Sequence, residues 1–316
     1  MQKSKYQIQN WSDYNRSLIQ RGSINIWIDE ASLHKWVSSD HTGKAGRPAT
    51  YSNEAILMLL IIRERFSLPL RGLQGFVQSL FSLKNLELVV PCYTQIGRRA
   101  KTLSIDIDCL CKGSPKHIIL DSTGLKVYGE GEWKVRTHGK SKRRIWRKFH
   151  IGINAETQDI VVCELTGNDV GEAASAVRML DKIPGKIKTV RGDGAYDPNA
   201  VRAKIYEKGA RAIIPPPRHA SIKGATGGWI KNRDEDIATI RSFGDREVGR
   251  KPWKQLTEYH KRSLVETAMF RVKKMLGDQL KGRIMETQRA ETFCKCLVIN
   301  KMNELGMPKG KWVKAA

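Results

Sequence analysis

Two aspartates and one glutamate, Asp121, Asp193 and Glu266, follow one another at intervals of about seventy residues. Asp121 closes the short apolar run His117 to Leu120, and Asp193 follows the run Ile187 to Arg191. Each therefore reads as standing at the carboxyl end of a strand, the sheet edge where ligands usually bind. Glu266 lies in a stretch of helical periodicity that runs from Thr257 to about Leu276. At about 100° per residue, Tyr259, Arg262, Glu266 and Lys273 fall within about 60° of one another, while Leu264, Val265, Ala268, Val272 and Met275 lie mostly opposite. Taken singly, none of the acids compels chemistry. A strand-end Asp also serves as a turn or helix-cap residue, and a mixed-charge helix face is also a solvated, salt-bridged one. Taken together they supply hard oxygen donors suited to Mg²⁺, with no His or Cys cluster in competition. Two ions held in this way would activate a water or a 3′-hydroxyl and stabilise the leaving oxygen during in-line attack on a phosphodiester. Repulsion among the carboxylates gives the cations a reason to be there.

The elements that must position these acids change character along the chain. Up to Lys112 the sequence reads as helical. Asn53 to Arg65 and Leu70 to Leu83 carry apolar residues at helical spacing, Ser52 or Asn53 caps the first, and a short helix from Tyr93 runs into Arg98, Arg99 and Lys101. Small helices ending in a basic turn suit a DNA groove, and equally suit a packing domain with a solvated basic end. Beyond Lys112 come strands at His117–Leu120, Phe149–Asn154 and Ile160–Leu165. A helix follows at Gly171–Lys182, then a strand at Ile187–Arg191, a helix at Pro198–Lys208 and a strand at Arg211–Pro215. A three-strand meander followed by helix, strand, helix, strand describes a mixed α/β sheet with ribonuclease H-like topology. Asp197 before Pro198 reads as an N-cap, with Tyr196 packing beneath the acids. The segment 216–255, which opens with Pro215–Pro217 and carries Gly224–Gly228, reads as irregular and basic, and Glu286 to Glu304 as a last helix.

The charge balance names a partner class. Fifty-six Lys and Arg against 32 Asp and Glu leave a net +24, which favours a polyanion such as nucleic acid. Trp133 to Lys148 holds Lys134, Arg136, Lys140, Lys142, Arg143, Arg144, Arg147 and Lys148 with no acid, interleaved with Trp133 and Trp146. That pattern suits phosphate contact with stacking, or a solvated hairpin whose tryptophans pack on the sheet. The six cysteines lack the spacing of common zinc sites and read as reduced thiols. No signal-peptide core opens the chain, and Ala55–Ile62, the longest apolar run, is too short to cross a bilayer, so a cytoplasmic protein without a membrane partner is expected.

Three segments carry a specific resemblance: Ile118-Ile119-Leu120-Asp121-Ser122-Thr123-Gly124, Gly192-Asp193-Gly194-Ala195-Tyr196-Asp197, and Tyr259, Arg262, Glu266 and Lys273 at their spacing. With them, from about Lys44 to Leu305, the sequence resembles the DDE transposases of bacterial insertion sequences, nearest to the group numbered five. The resemblance implies a ribonuclease H-like catalytic domain at 113–316 and an all-helical region at 1–112 that binds DNA ends and oligomerises. It also implies a nucleoid-associated enzyme that uses two Mg²⁺ ions, or Mn²⁺ in their place, to cleave and transfer strands. Asp121, Asp193 and Glu266 become the metal ligands. Arg262 and Lys273 would meet terminal phosphates, with Tyr259 beside them, and Trp229 or Trp253 would stack on a flipped base or simply pack. The partners implied are double-stranded DNA, as terminal inverted repeats and target, and a second copy of the chain. Two other readings remain: a nuclease of this fold that does not move an element, and a DNA-binding repressor whose acids are structural.

Overall fold

The computed structural model describes residues 4–28, 30–38, 50–103, 110, 113–127, 146–245 and 247–314. The chain forms two compact units, one of residues 1–104 with 297–316 and the other of residues 105–296.

The first unit begins with strand β1 (Ser4–Ile8) and helices α1 (Trp11–Gln20), α2 (Glu30–His34), α3 (Asn53–Arg65), α4 (Leu70–Leu83) and α5 (Tyr93–Thr102). The Ser52 hydroxyl accepts the Ala55 N–H at 3.0 Å and caps α3, as the Ser-Asn-Glu sequence leads one to expect. Ile56, Leu59, Ile62, Leu73, Val77 and Phe81 bury the apolar faces of α3 and α4, and Trp36 packs edge-on against Tyr51 and Phe81. This unit is not all-helical. β1 pairs antiparallel with the C-terminal strand Gly310–Lys314, β8, so residues 297–316 group here and not with the 113–316 region expected to hold them. Pairing across more than three hundred residues leaves no local signature.

The second unit is built on β2 (His117–Val127), β3 (Trp146–Asn154), β4 (Ile160–Thr166), β5 (Thr189–Arg191) and β6 (Arg211–Ile213). They order as β4-β3-β2-β5-β6. β2, β3 and β4 run antiparallel, and β5 and β6 join parallel to β2. This is the ribonuclease H-like sheet the meander anticipates. Helices α6 (Glu172–Lys182) and α7 (Asn199–Glu207) supply Met179, Leu180, Val201 and Ile205 to a core shared with Ile118, Leu120, Val162 and Val190. Successive strand residues face opposite ways, so Ile119, Asp121 and Thr123 share the other face of β2. That face meets the helix Ser263–Leu276, through Arg262 on Asp121 and Lys273 on Thr123.

Three expectations need correction. Asp121 does not end its strand. β2 continues to Val127 because β3 pairs with it as far as Lys126, through a polar stretch that an apolar-run criterion reads as a loop. Segment 216–255 is not irregular, since it contains α8 (Gly228–Ser242) and α9 (Arg250–Leu256). Two of its acids are internal: Asp236 is buried and accepts from Trp253 Nε1 and Arg211, both at 3.2 Å. Asp234 accepts the backbone N–H groups of Lys223 and Gly224 and closes the glycine-rich loop. A 3-10 turn, Tyr259–Arg262, then leads into α10 (Ser263–Leu276), so the expected helix from Thr257 is broken near Glu258, whose φ is 51°. The short strand β7 (Gln279–Leu280) and helix α11 (Met285–Leu305) complete the path.

Candidate active site

Parallel pairing aligns Ile119 of β2 with Arg191 of β5, and two residues further along each chain stand Asp121 and Asp193. Adjacent strands lie about 4.8 Å apart, so both aspartates leave the sheet at matching positions. β5 pairs with His117–Ile119 and β7 with Lys126–Val127, and Asp121 stands on β2 between these two pairings. Asp193 lies just past its strand, where its Oδ1 accepts the Ala195 N–H at 2.9 Å and starts a single turn, Gly194–Tyr196. Gly192 is required by a close approach, because a Cβ there would sit 2.8 Å from the Tyr196 ring. Tyr196 itself is fully buried in the core, with a hydroxyl that meets no hydrogen-bond partner. Burial, then the Asp121 and Asp193 carboxylates, push its pKa far up, so it stays neutral beneath both acids.

Helix α10 buries Val265, Ala268, Met269 and Val272 and turns its polar stripe to the odd-numbered face of β2. Arg262 Nη1 donates to Asp121 Oδ2 at 3.1 Å, while Nη2 donates to Glu266 Oε1 one helical turn on. Lys273 Nζ reaches the Thr123 hydroxyl at 2.6 Å. One strand face and one helix face are thus tied at Asp121 and Thr123. Burial raises the Asp121 pKa above the usual carboxylate range, against pulls from the Ser122 N–H and Arg262; the Asp193 and Glu266 charges push it the same way as burial. For Arg262, burial opposes the charge, yet Tyr259, Glu266 and Asp121 more than offset it and hold the pKa above the ordinary value.

The charges of Asp193 and Glu266 both act on Asp121, yet among the described residues no three His, Cys, Asp or Glu side chains form a ready metal cluster. The Arg262 guanidinium stands between two of the acids. Tyr259 packs against Trp253 at 5.8 Å between ring centroids. Trp253 is 1% exposed, with its N–H spent on Asp236, which removes it from any DNA-facing role in this arrangement. Trp229 is half-buried, with the Lys223 ammonium 6.0 Å above its ring. Arg147 Nε donates to Gln288, and Lys148 Nζ is held by the Val170 carbonyl and Glu172. Lys134, Arg136, Lys140, Lys142, Arg143 and Arg144, with Trp133, lie outside the described residues. In the first unit Arg98 is exposed, whereas Arg99 is spent on the Tyr51 carbonyl and Asn53.

Sequence reasoning missed two features. Glu172, at the start of α6, accepts from Ser122 Oγ at 3.3 Å and stands 3.3 Å from Lys148, so a further acid meets the residue that follows Asp121, on the opposite face of β2. Its position in a helix first turn gives a local reason for an acid and hides the other one. Asp197 is no helix cap. Pro198 holds the cap position of α7, and the Asp197 carboxylate takes Arg202 at 2.7 Å and Arg233 at 3.1 Å.

Two family models described as "Transposase DDE domain" match the chain, one over residues 19–130 and the other over residues 112–301. Two solved assemblies are distantly similar. The piggyBac transposase synaptic complex with hairpin DNA is 11% identical over 95% of this chain and 78% of that one, at a TM-score of 0.39. The Drosophila P element transposase strand transfer complex is 12% identical over 86% of this chain and 70% of that one, at 0.32. Because the second family match alone spans more than half of its residues, the chain belongs to the DDE transposases.

Proposed function

We propose that Asp121, Asp193 and Glu266 hold two Mg²⁺ ions, replaceable by Mn²⁺, and that the protein acts on the terminal inverted repeats of its own insertion sequence. As a DDE transposase the chain is a DNA-cleaving and strand-transferring enzyme. The carrying observation is convergence on Asp121: beyond its burial, it is pushed toward its neutral form by both Asp193 and Glu266, from elements far apart in sequence. The donor set consists of carboxylate oxygens alone, which fits hard divalent cations. Such ions, when bound, supply activation of a water or 3′-hydroxyl and stabilisation of the leaving oxygen.

The chain's own residues do the rest. Tyr196 and Gly192 pack a floor that fixes Asp193, and Lys273 on Thr123 fixes the helix that carries Glu266. Arg262 spans Asp121 and Glu266 and is the group placed to exchange those carboxylates for a terminal phosphate, a pairing its planar fork suits. Bringing two element ends together requires at least two copies of the chain on DNA.

The test uses DNA carrying the inverted repeats that flank the gene, with purified protein and Mg²⁺ or Mn²⁺. Asp121→Asn, Asp193→Asn and Glu266→Gln should each abolish cutting and leave end binding largely intact. Full cutting by the Glu266→Gln protein removes that residue from the mechanism. Cleavage without joined product identifies a nuclease, and a footprint without metal-dependent cleavage identifies a repressor.

A further inference from the structure

We infer that a basic cleft flanking the carboxylate site, on the inserted helices, binds the phosphodiester backbone of a nucleic-acid strand; this rests on the reading of the acids as a strand-cleaving centre. The cleft, of about 480 Å³, lies between α9 and the loop that carries Arg218. Arg218, Arg250, Lys251 and Lys254 line it together with His260, and among its described lining residues Glu247 is the one acid. Glu247 stands 2.9 Å from Arg218, so the remaining cations face a space with little anionic counterweight. Lys251 and Lys254 are exposed, and Arg250, anchored on the Pro216 carbonyl, has a buried Nε that meets no hydrogen-bond partner in this arrangement.

Position connects the cleft to the chemistry. His260 belongs to the same short turn as Tyr259 and Arg262, and Arg262 touches Asp121. Lys254 lies with its ammonium 5.5 Å from the Tyr259 ring centre, so one lysine touches both the cleft and the turn that carries the acids' partner. Several cations lining one cleft beside the turn that reaches Asp121 match a strand whose phosphates repeat along its length. The affinity of such contacts comes from releasing condensed counterions, and it therefore shows in the salt dependence of binding.

The experiment uses the full chain in EDTA, so that no cutting occurs, and reads fluorescence anisotropy of a labelled duplex and of its isolated strand over a salt series. In the Lys251→Ala/Lys254→Ala protein the slope of log affinity against log salt should fall by about 0.9 per lost contact on duplex, or about 0.7 on single strand. Lys251→Arg/Lys254→Arg should restore it. A control that removes equal charge from the exposed Lys182 and Lys186 should leave the slope as in the unaltered protein. If the cleft variant keeps the original slope, or the control loses as much, the cleft is not a phosphate site; thermal melting of each variant confirms that it is folded. The two readings fail separately. Cutting by the carboxylate variants would overturn the catalytic assignment without touching the slope, and an unchanged slope would overturn the cleft while those variants stay inactive.

Discussion

The Arg262 guanidinium lends one hydrogen bond to Asp121 and another to Glu266, so a single side chain neutralises two of the three acids. It competes with any cation the acids are meant to hold. Arg262→Gln should therefore bind Mn²⁺ more tightly in the absence of DNA. At neutral pH the gain should be roughly tenfold, about the strength of one hydrogen bond to a charged group, as read by electron paramagnetic resonance. Cutting by the same variant should fall, because the fork that would grip a terminal phosphate is gone. Equal or weaker Mn²⁺ binding would show that the arginine does not stand in the cation's way. The four-residue interval between Arg262 and Glu266 made their pairing readable in the sequence, whereas the reach to Asp121, 141 positions away, was not.

At the scale of elements, α8 and α9 are pinned to the sheet through buried charge. Asp236 of α8 is 1% exposed, yet it accepts from Trp253 Nε1 of α9 and from Arg211 of β6, with Arg202 of α7 3.9 Å away. Burial raises its pKa above the usual range despite the Trp253, Arg211 and Arg202 groups that pull it down. Asp236→Ala would leave the buried Trp253 N–H without its acceptor and take one countercharge from the buried Arg202 guanidinium, at a cost of about 3 kcal/mol. Asp236→Asn keeps an oxygen acceptor and should cost distinctly less. Urea unfolding of the two variants decides this, and equal losses would mean that the charge itself holds the helices. Because Trp253 packs on Tyr259, Asp236→Ala should also lower cutting more than its residual folded fraction explains. A linear reading took the many charges of 216–255 as a sign of loop, since nothing local tells an internal ion pair from a solvated one.

For the whole molecule, the N-terminal and C-terminal segments close on each other within the first unit. β1 pairs with β8, the Asn10 side chain donates to the Met307 carbonyl at 3.1 Å and accepts the Lys309 N–H at 2.6 Å, and Arg21 donates to the Gly306 carbonyl at 2.7 Å. Deleting residues 307–316 should speed hydrogen exchange throughout β1 and at the start of α1, and leave the amides of β2 and β3 protected as before. Unchanged exchange in β1 would mean that the strand pair contributes no protection. Among the described residues no helix is long and apolar enough to cross a membrane, in keeping with the short apolar runs of the sequence.

The order of elements from β2 to β6, the cap at Ser52 and the net +24 were legible in residue types and local periodicity. The three acids with Arg262 and Lys273 span several elements, and the resemblance of their segments to a known family is what set them apart from ordinary strand-end and helix-face charges. Folding in three dimensions decided that β2 runs on past Asp121, that Trp253 and Asp236 are interior, that Asp197 pairs with Arg202 and does not cap α7, and that Glu172 meets Ser122. These outcomes depend on which distant groups share a low-dielectric space. A charge buried beside its partner and a charge in water are written with the same letter, and only packing tells them apart.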